Sequence, residues 1–190
     1  EAAGTLQLRA GEEFQLAFHT DSEVTTTIEG NDRIDRSINA LTYDFRVANV
    51  DAKGTMQIAA KLSHASFDKT APEGREVFDS KNPPGADEMT LEMMLYKVVI
   101  GETFVLTVRP DGTIADISGI AETIENVLDT KMSPPAAERE QARVFVGQLL
   151  NEAGLRDSLT RAFEFYPGKQ VSAGDRWTRT SENLTVMNFL

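Results

Sequence analysis

Leu41-Thr42-Tyr43-Asp44-Phe45-Arg46-Val47 alternates apolar and polar side chains without a break. A period of two puts Leu41, Tyr43, Phe45 and Val47 on one side of an extended ribbon and Thr42, Asp44 and Arg46 on the other. The pattern predicts a strand with one dry face. It recurs on both sides of this stretch. Upstream, Phe14, Leu16 and Phe18 alternate with Glu13, Gln15, Ala17 and His19, and Val24-Thr25-Thr26-Thr27-Ile28 continues in residues that suit a pleated surface. Downstream, Met56, Ile58, Ala60 and Leu62 repeat it. Glu29-Gly30-Asn31-Asp32 and Asp51-Ala52-Lys53-Gly54 read as turns. Long strands joined by short turns predict an antiparallel meander with one face to be covered.

Residues 69–88 interrupt the alternation. Lys69-Thr70-Ala71-Pro72-Glu73-Gly74 and Asn82-Pro83-Pro84-Gly85 are loop chemistry, with a short strand predicted at 75–79 between them. Asp87 then caps a helix over about 87–99, where Leu91, Met94, Leu95, Val98 and Val99 recur at helical spacing and Gly101 follows the last turn. Residues 104–108 predict a buried strand. Pro110-Asp111-Gly112-Thr113 predicts a hairpin into 114–117, because Asp-Gly readily supplies positive φ. Further helices are expected near 119–131, 135–151 and 155–165, carrying Ile120, Ile124, Val127 and Leu128, then Val144, Phe145, Leu149 and Leu150, then Leu155, Leu159, Ala162 and Phe163 on their apolar sides. A last strand is expected from about 176 to 186. It runs apolar to Asn188-Phe189-Leu190, so either it closes a sheet edge or the chain is truncated at its C-terminus.

The 190 residues fit one domain, and the length suffices to bury a substantial core. Nineteen Lys+Arg against thirty Asp+Glu leave a net charge of −11 with no basic patch, which argues against nucleic acid and against an anionic membrane surface. No apolar run approaches the roughly 20 residues of a membrane helix. The absence of cysteine excludes thiolate metal sites, cysteine nucleophiles and disulfides. The opening Glu1-Ala2-Ala3-Gly4 reads either as the mature start of an exported protein or as a trimmed domain.

Catalytic patterns are sparse. His19 and His64 sit at alternating strand positions without a partner at ligand spacing, and no nucleophile elbow, phosphate loop or dinucleotide fingerprint occurs. The run Asp32-Arg33-Ile34-Asp35-Arg36 alternates charge and reads as a solvated strand or turn. Met89, Met93, Met94 and Met132 fit either ordinary core filling or an adaptable apolar surface. Gly11-Glu12-Glu13-Phe14, Gly101-Glu102-Thr103-Phe104 and Gly174-Asp175-Arg176-Trp177 open three strands alike, either as a strand-opening device or with their aromatic residues at one cavity mouth.

The meander, then Val98-Val99-Ile100-Gly101-Glu102-Thr103-Phe104, Pro110-Asp111-Gly112, Ser118-Gly119-Ile120, and finally Tyr166-Pro167-Gly168 before Gly174-Asp175-Arg176-Trp177, resembles an uncharacterised family of exported bacterial proteins and lipoproteins. The resemblance runs from Gly11 onward and carries no catalytic residues with it. The layout is similar, more loosely, to lipoprotein-carrier half-barrels. That likeness implies a curved sheet wrapped around helices and an apolar cavity.

The expected architecture is α+β: a single domain over 1–190 in which a strongly curved antiparallel half-barrel packs α-helices on its concave face. The expected function is that of a non-catalytic exported module, placed in the bacterial periplasm, outer envelope or extracellular space, that binds a lipid or acyl chain without a cofactor. Phe14, Phe18, Tyr43, Phe45, Leu91, Met94, Phe104 and Trp177 are the candidate lining. The alternatives are a structural or protein-interaction module of the envelope with an unidentified protein partner, using a sheet edge or the 69–88 loop, and a carboxylate-dependent hydrolase.

Overall fold

The computed structural model of the chain describes residues 8–163. Two long strands, β1 (Glu13–Ile28) and β2 (Asn31–Val50), form an antiparallel hairpin in unbroken register from Glu13 opposite Arg46 to Ile28 opposite Asn31. Glu29 and Gly30 make its two-residue turn, both at positive φ (52° and 81°), as the right-handed twist of a tight hairpin requires. The charged run 32–36 lies within β2 and is strand throughout. At the next turn Asp51 Oδ1 accepts the Lys53 and Thr55 N–H groups, each at 2.8 Å.

β3 (Met56–Ala71) carries the feature that organises the rest. Thr42 faces His64 while Tyr43 faces Leu62, so Ser63 is an extra residue in β3, and its hydroxyl donates to Thr42 O at 3.2 Å. The bulge reverses the alternation. Met56, Ile58, Ala60 and Leu62 point inward before it, and Ala65 and Phe67 after it. The far side of β3 is divided in the same way. β5 (Thr103–Val108) pairs with 56–61, and β4 (Gly74–Asp79) pairs with 66–71. β6 (Ile114–Ser118) joins β5 through the Asp111-Gly112 turn. The described strands form one open six-stranded antiparallel sheet, ordered β1-β2-β3-β5-β6 with β4 branching from β3.

Helices α1 (Leu91–Val99), α2 (Ile120–Val127), α3 (Arg139–Leu149) and α4 (Glu152–Phe163) each place residues in one main core. Val99, Val127, Val146, Leu159 and Phe163 meet Tyr43, Phe45, Val47, Ile58, Phe104 and Leu106 from the sheet. These sheet residues share one face, so α-helices and sheet form an α+β pair of layers. A smaller cluster, Ala65, Phe67, Phe78 and Met93, lies beyond the bulge.

The helix boundaries depart from the sequence pattern. The segment at Asp87 is a 3₁₀ turn (Ala86–Glu88), and α1 starts after it because Thr90 caps the Met93 N–H. α2 ends at Val127 in a π-helical turn, Leu128–Met132, closed by Ser133 at φ 47°. The stretch after Pro134-Pro135 is a turn, with the Glu138 N–H on Pro135 O at 2.9 Å, and α3 begins only at Arg139.

Polar braces hold the helices in place. Lys131 Nζ donates to Val98 O and Ile100 O at the end of α1, both at 2.8 Å, and pairs with Glu102 at 2.8 Å. Glu125 on α2 accepts from Arg139 and Arg143 on α3, each at 2.7 Å. Thr123 Oγ1 donates to Thr103 O at 2.9 Å, and Arg156 on α4 donates to Ile114 O at 2.6 Å. The final strand expected from sequence lies outside the described residues.

Candidate functional site

Alternation in β1 and β2 sets Phe14 opposite Phe45, Leu16 opposite Tyr43, and Phe18 opposite Leu41 on the helix-facing side. Phe14 stacks on Phe45 with ring centroids 5.0 Å apart, and Phe163 from α4 meets the edge of that pair at 5.6 Å from Phe45 and 6.5 Å from Phe14. Phe18 packs edge-on to Tyr43 at 5.9 Å, and Tyr43 to Phe104 at 6.3 Å. Offset and edge-on contacts of this kind contribute about 0.5–1.5 kcal/mol each beyond the area they bury. Burial pushes the Tyr43 phenol up to about 12, so it stays neutral at any working pH.

The covering is uneven. Tyr43, Phe45, Phe104 and Phe163 are buried, whereas Phe14, Leu16, Phe18 and Leu41 are only half-buried. The helices therefore leave an apolar margin along β1.

Five of the eight candidate lining residues, Phe14, Phe18, Tyr43, Phe45 and Phe104, come together in this cluster. Leu91 and Met94 do not. They lie on α1 at 63% and 41% exposure, away from the core, because Met93, Leu95 and Val99 are the residues that α1 buries. Trp177 lies outside the described residues. Phe163 was absent from the candidate set although it contacts two of its members. Its signal was the Leu155, Leu159, Phe163 stripe at four-residue spacing.

The opposite face of the sheet is polar. A depression of about 520 Å³ opens there over Ala59, with Gln15, Asp44, Arg46, Lys61 and Thr103 around it. Gln15 donates to Asp44 at 2.7 Å, and Arg46 lies 3.7 Å from Glu13, so both carboxylates have partners. Farther along that face His64 Nε2 meets Asp79 at 2.8 Å. The Lys81 backbone N–H, ahead of His64, holds the Asp79 carboxyl below its usual value. Among the described residues no three His, Asp or Glu side chains are placed to hold a metal ion, and no helix is long and apolar enough to cross a membrane.

No curated protein and no solved structure matches the chain. A family model does match, over residues 53–188, which begins in the turn before β3 and leaves the β1–β2 hairpin upstream. That match spans most of the sequence and agrees with the resemblance to an uncharacterised family. The chain belongs to the family of unknown function DUF6263.

Proposed function

We propose that this chain is a non-catalytic binding module of the bacterial envelope that holds an apolar ligand, a lipid or acyl chain, along the helix-facing margin of β1. The supporting observation is the half-buried row Phe14, Leu16 and Phe18 beside the fully buried Tyr43, Phe45 and Phe163. Such a row gives a linear ligand a dry floor, and covering it removes apolar area from water at about 25 cal/mol per Å². The rings behind it pack on one another, so the ligand lies beside the core rather than inside it. A sheet curved around the helices belongs to this reading. The breaks in the β2–β3 register at Thr42/Tyr43 and Val47/Asn49 support it, since bulges bend strands. Export is part of the proposal as well, consistent with a chain that places no thiol in an oxidising compartment.

Extraction of the natively expressed protein with organic solvent, followed by mass spectrometry, tests the ligand directly. A stoichiometric lipid that is lost in Phe18→Gln supports the reading. A clean extract, together with no binding of a fluorescent fatty acid, ends it. Fractionation of the native cells tests the location.

A second reading, a protein-interaction module, is favoured by a separate observation. Ile34, Ile38 and Val77 are exposed at 44%, 55% and 53% on the sheet face turned away from the helices. Cross-linking that recovers a protein partner and no lipid selects it.

A further inference from the structure

We propose that β1 is a docking edge for a second copy of this chain, joined antiparallel about a two-fold axis at Thr20. β1 ends the strand order, and no described strand pairs along its far side. Edge strands are normally blunted by lysine, proline, a bulge or shortness. β1 contains no Lys, Arg or Pro, runs 16 residues, and keeps unbroken register with β2.

The edge of β1 that no described strand covers has a defined phase. The Val47 N–H donates to Glu12 O at 2.9 Å, so the even-numbered residues of β1 bond to β2. The odd-numbered residues from Glu13 to Thr27 turn their N–H and C=O groups outward. Two copies related by a two-fold axis bring odd residues opposite odd residues in every antiparallel register, so each register keeps the faces of the two sheets continuous.

Charge then selects among registers. An axis at Asp21 sets Asp21 against itself, and one at Ser22 sets it against Glu23. Axes at Ala17 and Phe18 oppose Glu13 to Asp21 and to Glu23, and an axis at His19 opposes the two histidines. The axis at Thr20 opposes His19 to Asp21 of the second copy, twice, and sets Glu23 against Ala17. On the helix-facing side it sets Leu16 against the exposed Val24 and Phe18 against Ser22. Among the registers that overlap more than half of β1, this one alone brings opposite charges together and sets no like charges or paired histidines against each other, which is the argument for a second copy rather than an unrelated strand.

Sedimentation of the full chain over a concentration series, with amide exchange read residue by residue, tests this. The expected result is a reversible dimer in which the odd-numbered β1 amides gain protection with concentration. His19→Asp and Asp21→His each weaken it about tenfold, and the double substitution restores it because the pairs exchange places. Both sites are exposed, so the fold survives the changes. A chain that stays monomeric at its solubility limit overturns the proposal. So does a dimer indifferent to the charge cycle, or β1 edge amides already protected in the dilute monomer.

Discussion

The open end and the turn end of the β1–β2 hairpin are built from the same two strands in the same unbroken register, yet they have opposite surroundings. At the open end Phe14 stacks on Phe45 under α4, and Tyr43, Phe45 and Val47 are buried. At the turn end Val24, Ile28 and Ile34 are exposed, and side chains there are held by surface contacts such as Arg36–Glu23 and Arg33–Asp35. Pairing alone makes the ribbon; burial against helices makes it stable. Backbone ladders are local and need only the right turn and β-favouring residues. Surface ion pairs add little to that, since each competes with water and salt.

The largest test of the difference is Phe45→Ala. It empties a site lined by Phe14, Tyr43 and Phe163, and it should cost about 3–5 kcal/mol in chemical unfolding. A loss below about 1 kcal/mol would mean that the open end is as loosely held as the turn end. Lys131→Met removes the donor to Val98 O and Ile100 O and the partner of Glu102, whose side chain is 12% exposed. The expected cost is about 1–2 kcal/mol, discounted because the lysine is partly in water. Protection of the α1 amides should fall with it.

Glu125 sharpens the contrast through pH. Hydrogen bonds from Arg143 and Arg139 hold its carboxyl at about 2 against an ordinary value of 4.5. A depressed carboxylate contributes fully above its unfolded value and progressively less below it. The α2–α3 contact should therefore hold above pH 4.5 and weaken as the pH falls from 4.5 towards 2. Glu125→Gln should abolish that step in a titration of α3 resonances. The smallest effect belongs to the turn end. Ile34→Thr, at 44% exposure, should shift unfolding by no more than about 0.5 kcal/mol, and a larger loss would reveal a covering that the strand pattern does not explain.

Much of the sheet was legible because a period of two is a direct imprint of one-sided burial. The rows through Phe14, Tyr43 and Ile58 and the turns at Gly30 and Gly112 all read correctly. The Ser63 bulge was not legible. Ser63-His64-Ala65-Ser66 has no apolar rhythm to lose, so the reversal of phase leaves no mark in the letters. Helix existence was also readable, but the buried side of α1 was not. Leu91 and Met94 fit a helical stripe as well as Met93 and Val99 do, and only the contact of Met93 with Phe67 and Phe78 decides between them. The four-residue spacing of Leu155, Leu159 and Phe163 marks Phe163 as core-facing, but its meeting with Phe14 and Phe45 is tertiary packing that no local pattern records.

Because Ser63 lets one strand look inward with even residues before it and odd residues after it, β3 is the hinge pin of two hydrophobic bodies that adjoin at Leu41 and Ile100. Tension or heat applied at the 65–79 end can detach Phe67, Phe78 and Met93 as a unit. The strand pairing between 56–61 and β5 would remain closed, and the molecule would come apart in two stages rather than one.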